Sequence, residues 1–354
     1  MKTRADKIRE AEASGLSFPF PDPPARGEAV AVAPGILWLR LPLPMALDHV
    51  NIYALEDGEA GWTLVDAGMD TPPARAAWEA ALAGPLAGRD VTRILVTHFH
   101  PDHIGLAGWL AERTGAPLTT TRTSYLYAKT LQLDRWEEPP AGAVAFYEAA
   151  GYGAAEMAAM RARAKYGFSR VCAPLPPGFH RIARGDSVRI GARIWQVLTG
   201  DGHAPEHAVL WCEADGLALV GDQVLPRITS NIGVYPTEPE GNPLGEFLAS
   251  CRALRAALPE GTLILPGHNE PFTGLHIRLS QLIDHHAETL EALHESLRTP
   301  RTALECFDVL FDREITDGIR GFAIVEAIAH LNHLRAEGRA ERETTDGVDR
   351  YRAI

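Results

Sequence analysis

Apolar residues along this chain fall into short runs, some alternating with polar residues at a period of two and some continuously apolar, which is the pattern of half-buried and fully buried strands. Strands are expected at 28–33, 36–41, 50–56 and 62–66, then at 93–97, 192–198, 208–211, 217–221 and 262–267. Helical spacing is carried by the Ala-rich segment 73–83 and by 104–113, 125–133, 144–165 and 274–297. Strands that alternate with helices predict an α/β architecture of two sheets sandwiched between helices. At the N-terminal end, 1–17 reads as a short charged helix, followed by the proline-rich connector FPFPDPPARG. From about residue 298 the pattern changes. Helices are expected at 303–311 and 321–337, the latter closed by Gly338, with a short strand at 348–353. The domains predicted are an extension at 1–27, a large α/β domain at 28–297 and a small tail at 298–354.

Candidate chemistry concentrates at the ends of the expected strands. The run His98-Phe99-His100-Pro101-Asp102-His103 places four metal-ligand side chains directly after the strand 93–97. Residues two apart on an extended segment can aim at one point, so His98 and His100 form a half-site. Asp102 and His103 open the helix that follows, where the dipole favours an anion. Downstream, His203 follows 192–198, Asp222 follows 217–221 and His268 follows 262–267. Five histidines and two carboxylates suffice to ligate two zinc-like ions roughly 3.5–4 Å apart.

This set resembles the signature of the metallo-β-lactamase-fold hydrolases, HxHxDH followed by a distant His, an Asp and a final His, and the resemblance covers about residues 28–280. It implies an αββα sandwich in which His98, His100 and His203 bind a first ion, Asp102, His103 and His268 bind a second, and Asp222 bridges them. Asp66, in Thr63-Leu64-Val65-Asp66-Ala67-Gly68, matches the strand-end aspartate that supports the HxHxDH loop in that family, or is a turn-capping residue. His207 stands where the thioesterase branch often repeats a histidine; a buried, hydrogen-bonded histidine at the start of strand 208–211 explains it equally. The spacing from His103 to His203 is about twice the family's usual one, and the surplus, about 121–180, reads as an inserted helical cap. Tyr125, Tyr127, Trp136, Tyr147 and Tyr166 there are pocket candidates or packing residues. The tail resembles the winged-helix-like appendage of a branch that includes lactamase-like endoribonucleases.

Two further groups of histidines carry less. His49, in an apolar loop at 41–49, could reach the site but is expected rather as a surface or turn residue, and His276, His285, His286 and His294 are expected as members of a solvated helix face.

Composition narrows the partners. The formal charge is −12, and the tail carries nine Lys and Arg against eleven Asp and Glu, which disfavours nucleic acid as a partner and favours packing or homodimerisation for the tail. Cys172, Cys212, Cys251 and Cys306 fit neither a zinc motif nor a disulfide framework and read as buried thiols. No apolar run approaches a membrane span and the N-terminal segment lacks a signal core, so a cytoplasmic protein is expected.

The reaction implied is hydrolysis by a hydroxide that two divalent ions, zinc or else iron or manganese, generate from a shared water. Asp102 and Asp222 are the catalytic carboxylates: Asp102 holds one ion and helps orient the hydroxide, and Asp222 sets the intermetal distance. A small-molecule carbonyl substrate, a thioester, lactone or other ester, is the preferred reading. A phosphodiesterase or endoribonuclease is the alternative, and a non-enzymatic binding module on the same fold a third. The family's oxygen-reducing flavodiiron branch has a glutamate where this chain has His100. Its antibiotic-hydrolysing branch lacks the aspartate seen at Asp222. A mononuclear iron sulfur-oxygenase branch shares much of the ligand set.

Overall fold

The computed structural model describes residues 3–136, 138–164 and 167–354. It divides the chain into two compact units: residues 1–135, 168–230 and 253–279 form the first, and residues 136–167, 231–252 and 280–354 the second. Tyr166 lies outside the described residues.

The first unit opens with α1 (Arg4–Ala13) and a seven-stranded sheet built from β1 (Val30–Ala33), β2 (Ile36–Pro42), β3 (His49–Glu56), β4 (Trp62–Val65), β5 (Val91–Leu95), β6 (Leu118–Thr120) and, further on, β7 (His180–Arg181), in that spatial order. Between these strands come α2 (Pro72–Ala83), α3 (Pro101–Ile104), α4 (Ala107–Thr114) and α5 (Arg122–Leu133). Helix α2 starts where Thr71 accepts a hydrogen bond from the Ala74 amide ahead of two prolines, and Thr121 caps α5 through the Ser124 amide. Helix α4 stops at Gly115, whose left-handed backbone a side chain would disfavour.

Before β7 the chain runs through α6 (Ala141–Ala149) and α7 (Ala154–Ala164), which belong to the second unit. After it come β8 (Ser187–Ile190), β9 (Arg193–Gly200), β10 (His207–Cys212), β11 (Leu217–Gly221), α8 (Pro243–Ala257) and β12 (Leu263–Pro266), and these later strands form a five-stranded sheet in the order β12-β11-β10-β9-β8. Trp38, Tyr53, Val65 and Leu95 of the first sheet share one core with Trp195, Val197, Leu210, Leu219 and Leu265 of the second. The other face of the first sheet packs Ile52, Leu64 and Ile94 against Trp78, Leu110 and Tyr125 of α2, α4 and α5. The first unit is thus two face-to-face sheets with helices outside them.

Two parallel pairings decide where the chemistry lies. Strands β4 and β5 align Val65 with Leu95, so the residues after both strands emerge at the same end. Strands β11 and β12 align Gly221 with Pro266, which brings Asp222 and His268 out together.

The second unit continues from α9 (Leu275–Ser296), of which residues 280–296 belong to it, through α10 (Phe307–Leu310), α11 (Asp317–Ala336), β13 (Ala340–Thr345) and β14 (Val348–Ala353). The last two strands form an antiparallel hairpin. Strand β13 escapes the periodicity reading because its sequence AERETT is mostly exposed. The single helix expected over 144–165 is broken at Gly151, whose φ of 102° is left-handed, and Gly153, giving α6 and α7. The expectation that His286 lies on a solvated face is overturned. It is buried on α9 with its Nδ1 3.3 Å from Nε2 of His330, on the apolar stripe that also holds Leu282, Leu290 and Leu293. No helix among the described residues is long and apolar enough to cross a membrane.

Candidate metal centre

All seven ligand candidates lie in the first unit, and the strand ends bring them into two groups. His98, His100 and His203 form one; Asp102, His103, Asp222 and His268 form the other, with the ligand atoms of each group within 4.8 Å of one another. In the first group Nε2 of His98 is 3.0 Å from Nδ1 of His100, that atom is 3.0 Å from Nε2 of His203, and the third edge is 3.3 Å. Three ring nitrogens this close match a tetrahedron edge of about 3.3 Å, built on metal–nitrogen bonds of about 2.0–2.1 Å. In the second group Nε2 of His268 lies 3.3 Å from Asp102 Oδ2 and 3.1 Å from Asp222 Oδ2, while Nε2 of His103 lies 3.3 Å from Asp222 Oδ1. Asp222 also reaches the first group, with Oδ2 3.7 Å from Nε2 of His203.

The surrounding residues fix which ring nitrogen each histidine offers. Thr97 donates to Asp66, and its hydroxyl lies 3.0 Å from Nδ1 of His98 and accepts that proton, so Nε2 of His98 turns to the centre as an acceptor. Nδ1 of His103 donates to Asp66 Oδ2 at 2.8 Å, and Nδ1 of His268 donates to the carbonyl of His49 at 2.7 Å. Their Nε2 atoms are left for a ligand. Asp66 holds both halves of the loop at once, since its Oδ1 also accepts the Thr97 amide at 2.8 Å, and it does so with a left-handed backbone, φ 68°.

Charge at the centre calls for a cation. Burial disfavours charge on His103, yet Asp222, Asp66 and Asp102 outweigh it and hold the imidazole proton well above the ordinary range. Against burial, Asp222 and Asp102 likewise push His268 up to about 10. Burial and the neighbouring rings drop His98 well below its ordinary value, and burial with His203 brings His100 down to about 3, so both are neutral imidazoles ready to coordinate. Nε2 of His103 and Oδ1 of Asp222 are buried and find no hydrogen-bond partner among the described residues. Gly267 keeps the space open: a Cβ there would meet Asp222 Oδ1 at 2.2 Å and Cε1 of His103 at 2.8 Å. This donor set, part neutral nitrogen and part carboxylate, fits divalent ions.

His207 stands beside the centre. Its ring stacks on His98 with centroids 4.5 Å apart, and its Nε2 accepts the backbone amide of Asp222 at 3.1 Å. It is a buried, hydrogen-bonded histidine at the start of β10. Of the expected pocket aromatics in the first unit, Tyr127 lies 4.6 Å from Phe99 and Tyr125 stacks on Phe179 at 4.2 Å. In the second unit Tyr147 stacks on Tyr152 and Trp136 is half exposed.

Sequence reasoning missed Asn51 and, of its two readings of His49, preferred the wrong one. His49 is not a surface turn residue: it opens β3, its carbonyl holds His268 and its Nε2 accepts the Asn269 amide at 3.0 Å. Buried Asn51 donates to the carbonyls of Pro266 and Asn269. The only local signal was an asparagine in a run otherwise rich in apolar residues. All four cysteines are buried thiols.

Comparison with known proteins agrees with this geometry. The Metallo-beta-lactamase superfamily matches residues 45–268, and the Metallo-beta-lactamase-like, C-terminal domain matches residues 288–354. The chain is 29% identical over 317 residues to the probable metallo-hydrolase YqjP of Bacillus subtilis, covering 85% of this chain and 92% of that one. It is 28% identical over 227 residues to a hydroxyacylglutathione hydrolase of Rhodobacter capsulatus, covering 63% and 67% respectively. Among solved structures, a beta-lactamase domain protein from Burkholderia ambifaria superposes with a TM-score of 0.90 at 39% identity over 98% of this chain and 100% of that one. A metallo-beta-lactamase family protein from Thermus thermophilus does so with a TM-score of 0.76 at 31% identity, over 92% and 100%. A two-sheet sandwich with histidines and aspartates gathered at its strand ends, in a chain that matches this family over most of its first unit, belongs to the metallo-beta-lactamase superfamily and is a metal-dependent hydrolase.

Proposed function

We propose that this hydrolase works with two divalent ions, zinc or else iron or manganese, and cleaves a small carbonyl substrate, a thioester, lactone or other ester. The observation that carries the dinuclear reading is the position of Asp222, whose carboxylate lies within 3.7 Å of a histidine of the first group and within 3.3 Å of both histidines of the second. His98, His100 and His203 would hold one ion, Asp102, His103 and His268 the other, and Asp222 both. Two such ions supply a hydroxide nucleophile at neutral pH and an electrophile for the substrate oxygen.

The chain's own residues set the geometry of that chemistry. Asp66 and the His49 carbonyl keep the Nδ1 protons of His103 and His268 away from the centre. Thr97 does the same for His98, so the lone pairs all converge. Burial opposes charge on Asp102, but His103 and His268 hold its carboxylate ionised, and in this reading it would hold one ion and help orient the hydroxide.

Support for the carbonyl substrate comes from the net charge of −12, which opposes a polyanion, and from the similarity to hydroxyacylglutathione hydrolases over about two thirds of the chain. One assay panel tests it: lactoylglutathione, an acyl-CoA, a homoserine lactone, a phosphodiester reporter and a cephalosporin, with single-stranded RNA alongside, each at low and high salt. A thioester or lactone should turn over fastest, with weak dependence on salt. Salt-sensitive cleavage of single-stranded RNA at a higher rate than every ester would replace this reading with the endoribonuclease one.

A further inference from the structure

Two residues beyond His268 lies Glu270, a fully buried carboxylate that serves three guanidinium groups from three separate parts of the first unit. Its Oε1 accepts from Nε of Arg4 on α1 at 2.7 Å and from Arg40 on β2 at 3.3 Å, and its Oε2 accepts from Arg227, itself buried, five residues past Asp222. Arg40 adds a bond of 2.7 Å to the carbonyl of Asn269 and one of 3.1 Å to the Asn51 side chain. The turn from Pro266 to Glu270 is therefore tied down from several sides. Its carbonyls go to Asn51, Tyr53 and Arg40, the Asn269 amide goes to His49, and the His268 ring goes to the His49 carbonyl. Asn269 takes this path with a left-handed backbone, φ 68°, which persists only where the surroundings over-determine it.

We propose that Glu270 is a positioning residue for the second ligand group: by clamping Arg40 and Arg227 together it fixes the His268 turn against the loop that leaves Asp222. This rests on the dinuclear reading given above. The physical argument is one of charge and reach. One carboxylate faces three cations, and the side chains of two of them, Arg40 and Arg227, are only 12% and 8% exposed; a neutral residue in its place leaves these like charges without their shared partner, which drives the two loops apart. Ligands at the ends of long side chains translate a small parting of loops into lost coordination, as happens when groups that orient metal ligands are removed.

The test compares wild type with Glu270→Gln and Glu270→Asp, the latter keeping the charge but shortening the arm. Two readouts are taken. Zinc titration against a competing chelator should show the affinity for the second equivalent falling ~10–100-fold in Glu270→Gln and less in Glu270→Asp, with the first equivalent unchanged. In metal-free protein with isotope-labelled histidine, the His268 Nδ1 proton, protected by the His49 carbonyl in wild type, should exchange freely in Glu270→Gln. If Glu270→Gln does not fold, Glu270→Asp carries both measurements. Folded variants with wild-type affinity and an unchanged His268 resonance overturn the proposal. A wild type that binds a single ion while the His268 resonance still responds to Glu270 would overturn the dinuclear reading and leave the clamp standing.

Discussion

Asp66 and His103, 37 residues apart in the chain, share a hydrogen bond of 2.8 Å that sends the ring's other nitrogen toward Asp222 and Asp102. Asp66→Asn tests its weight. Asparagine tolerates the left-handed backbone, so the fold should survive, but its amide cannot accept both the Thr97 amide and the His103 proton. Metal affinity should fall ~10–100-fold, read by chelator competition. Wild-type affinity in the variant would show that His103 needs no such partner.

Metal content gives a second expectation. The purified protein, reconstituted with zinc, iron or manganese, should hold about two equivalents by elemental analysis, and His268→Ala should lose one of them while His98, His100 and His203 keep the other. Full activity at one equivalent would favour a mononuclear centre. Chelation should abolish turnover and re-addition restore it.

Gly267→Ala should damage the centre without touching a ligand. The added methyl would lie 2.2 Å from Asp222 Oδ1, a contact that forces the carboxylate or the turn to move. The expected cost is ~1–3 kcal/mol in stability with a larger proportional loss of activity, measured by urea unfolding and by kcat/KM. Unchanged kinetics would mean that the site has room the geometry does not show.

In the second unit, pH should act through His286 and His330. Burial, with the neighbouring histidines, lowers His286 to about 3; burial lowers His330 to about 4. Both folded-state values lie below the unfolded value of about 6.5, so the unfolded chain takes up protons first as the solution is acidified. The stability they contribute is present above about pH 6.5 and is lost as pH falls toward about 4, with a slope of at most about 1.4 kcal/mol per pH unit for each proton. Urea unfolding at a series of pH values from about 7.5 down to about 4.5 reads this loss. His286→Phe should flatten the profile by about one proton's worth, and an unaltered profile would place the acid sensitivity elsewhere.

Much of the catalytic half was legible because its strands are buried. Leu217 to Gly221 and Leu263 to Pro266 are nearly continuous apolar runs, each followed at once by a glycine or a ligand, and the fold leaves them no other place than the interior. The seven ligand candidates could be named because the HFHPDH run follows one expected strand and His203, Asp222 and His268 follow three others, in an order that resembles the family's signature. What escaped is what depends on distant partners. Glu270 reads as an ordinary acidic residue until Arg4, Arg40 and Arg227 are brought around it. His286 could have been found, since it falls on the same stripe as Leu282, Leu290 and Leu293, but histidine's usual preference for partial exposure hid it. Strand β13 was missed because Glu341 and Glu343 face solvent and only Ala340 is buried, so its pairing with β14 is set by the turn at Asp346 and Gly347 rather than by a buried face.

The parallel pairing of β11 with β12 also sets an order of assembly. The three histidines of the first group are all present once the chain has been made as far as His203, whereas the second group lacks a member until His268 has emerged and β12 has docked beside β11. During synthesis the protein therefore acquires a complete triad of imidazoles well before it can acquire its partner group, and Asp222 arrives between the two. An early-captured ion would meet three neutral rings before Asp222 has arrived beside them. On the two-ion reading, the pairing of β12 with β11 completes the second group, so a nascent chain stalled after residue 203 and before residue 222 should bind metal through His98, His100 and His203 alone.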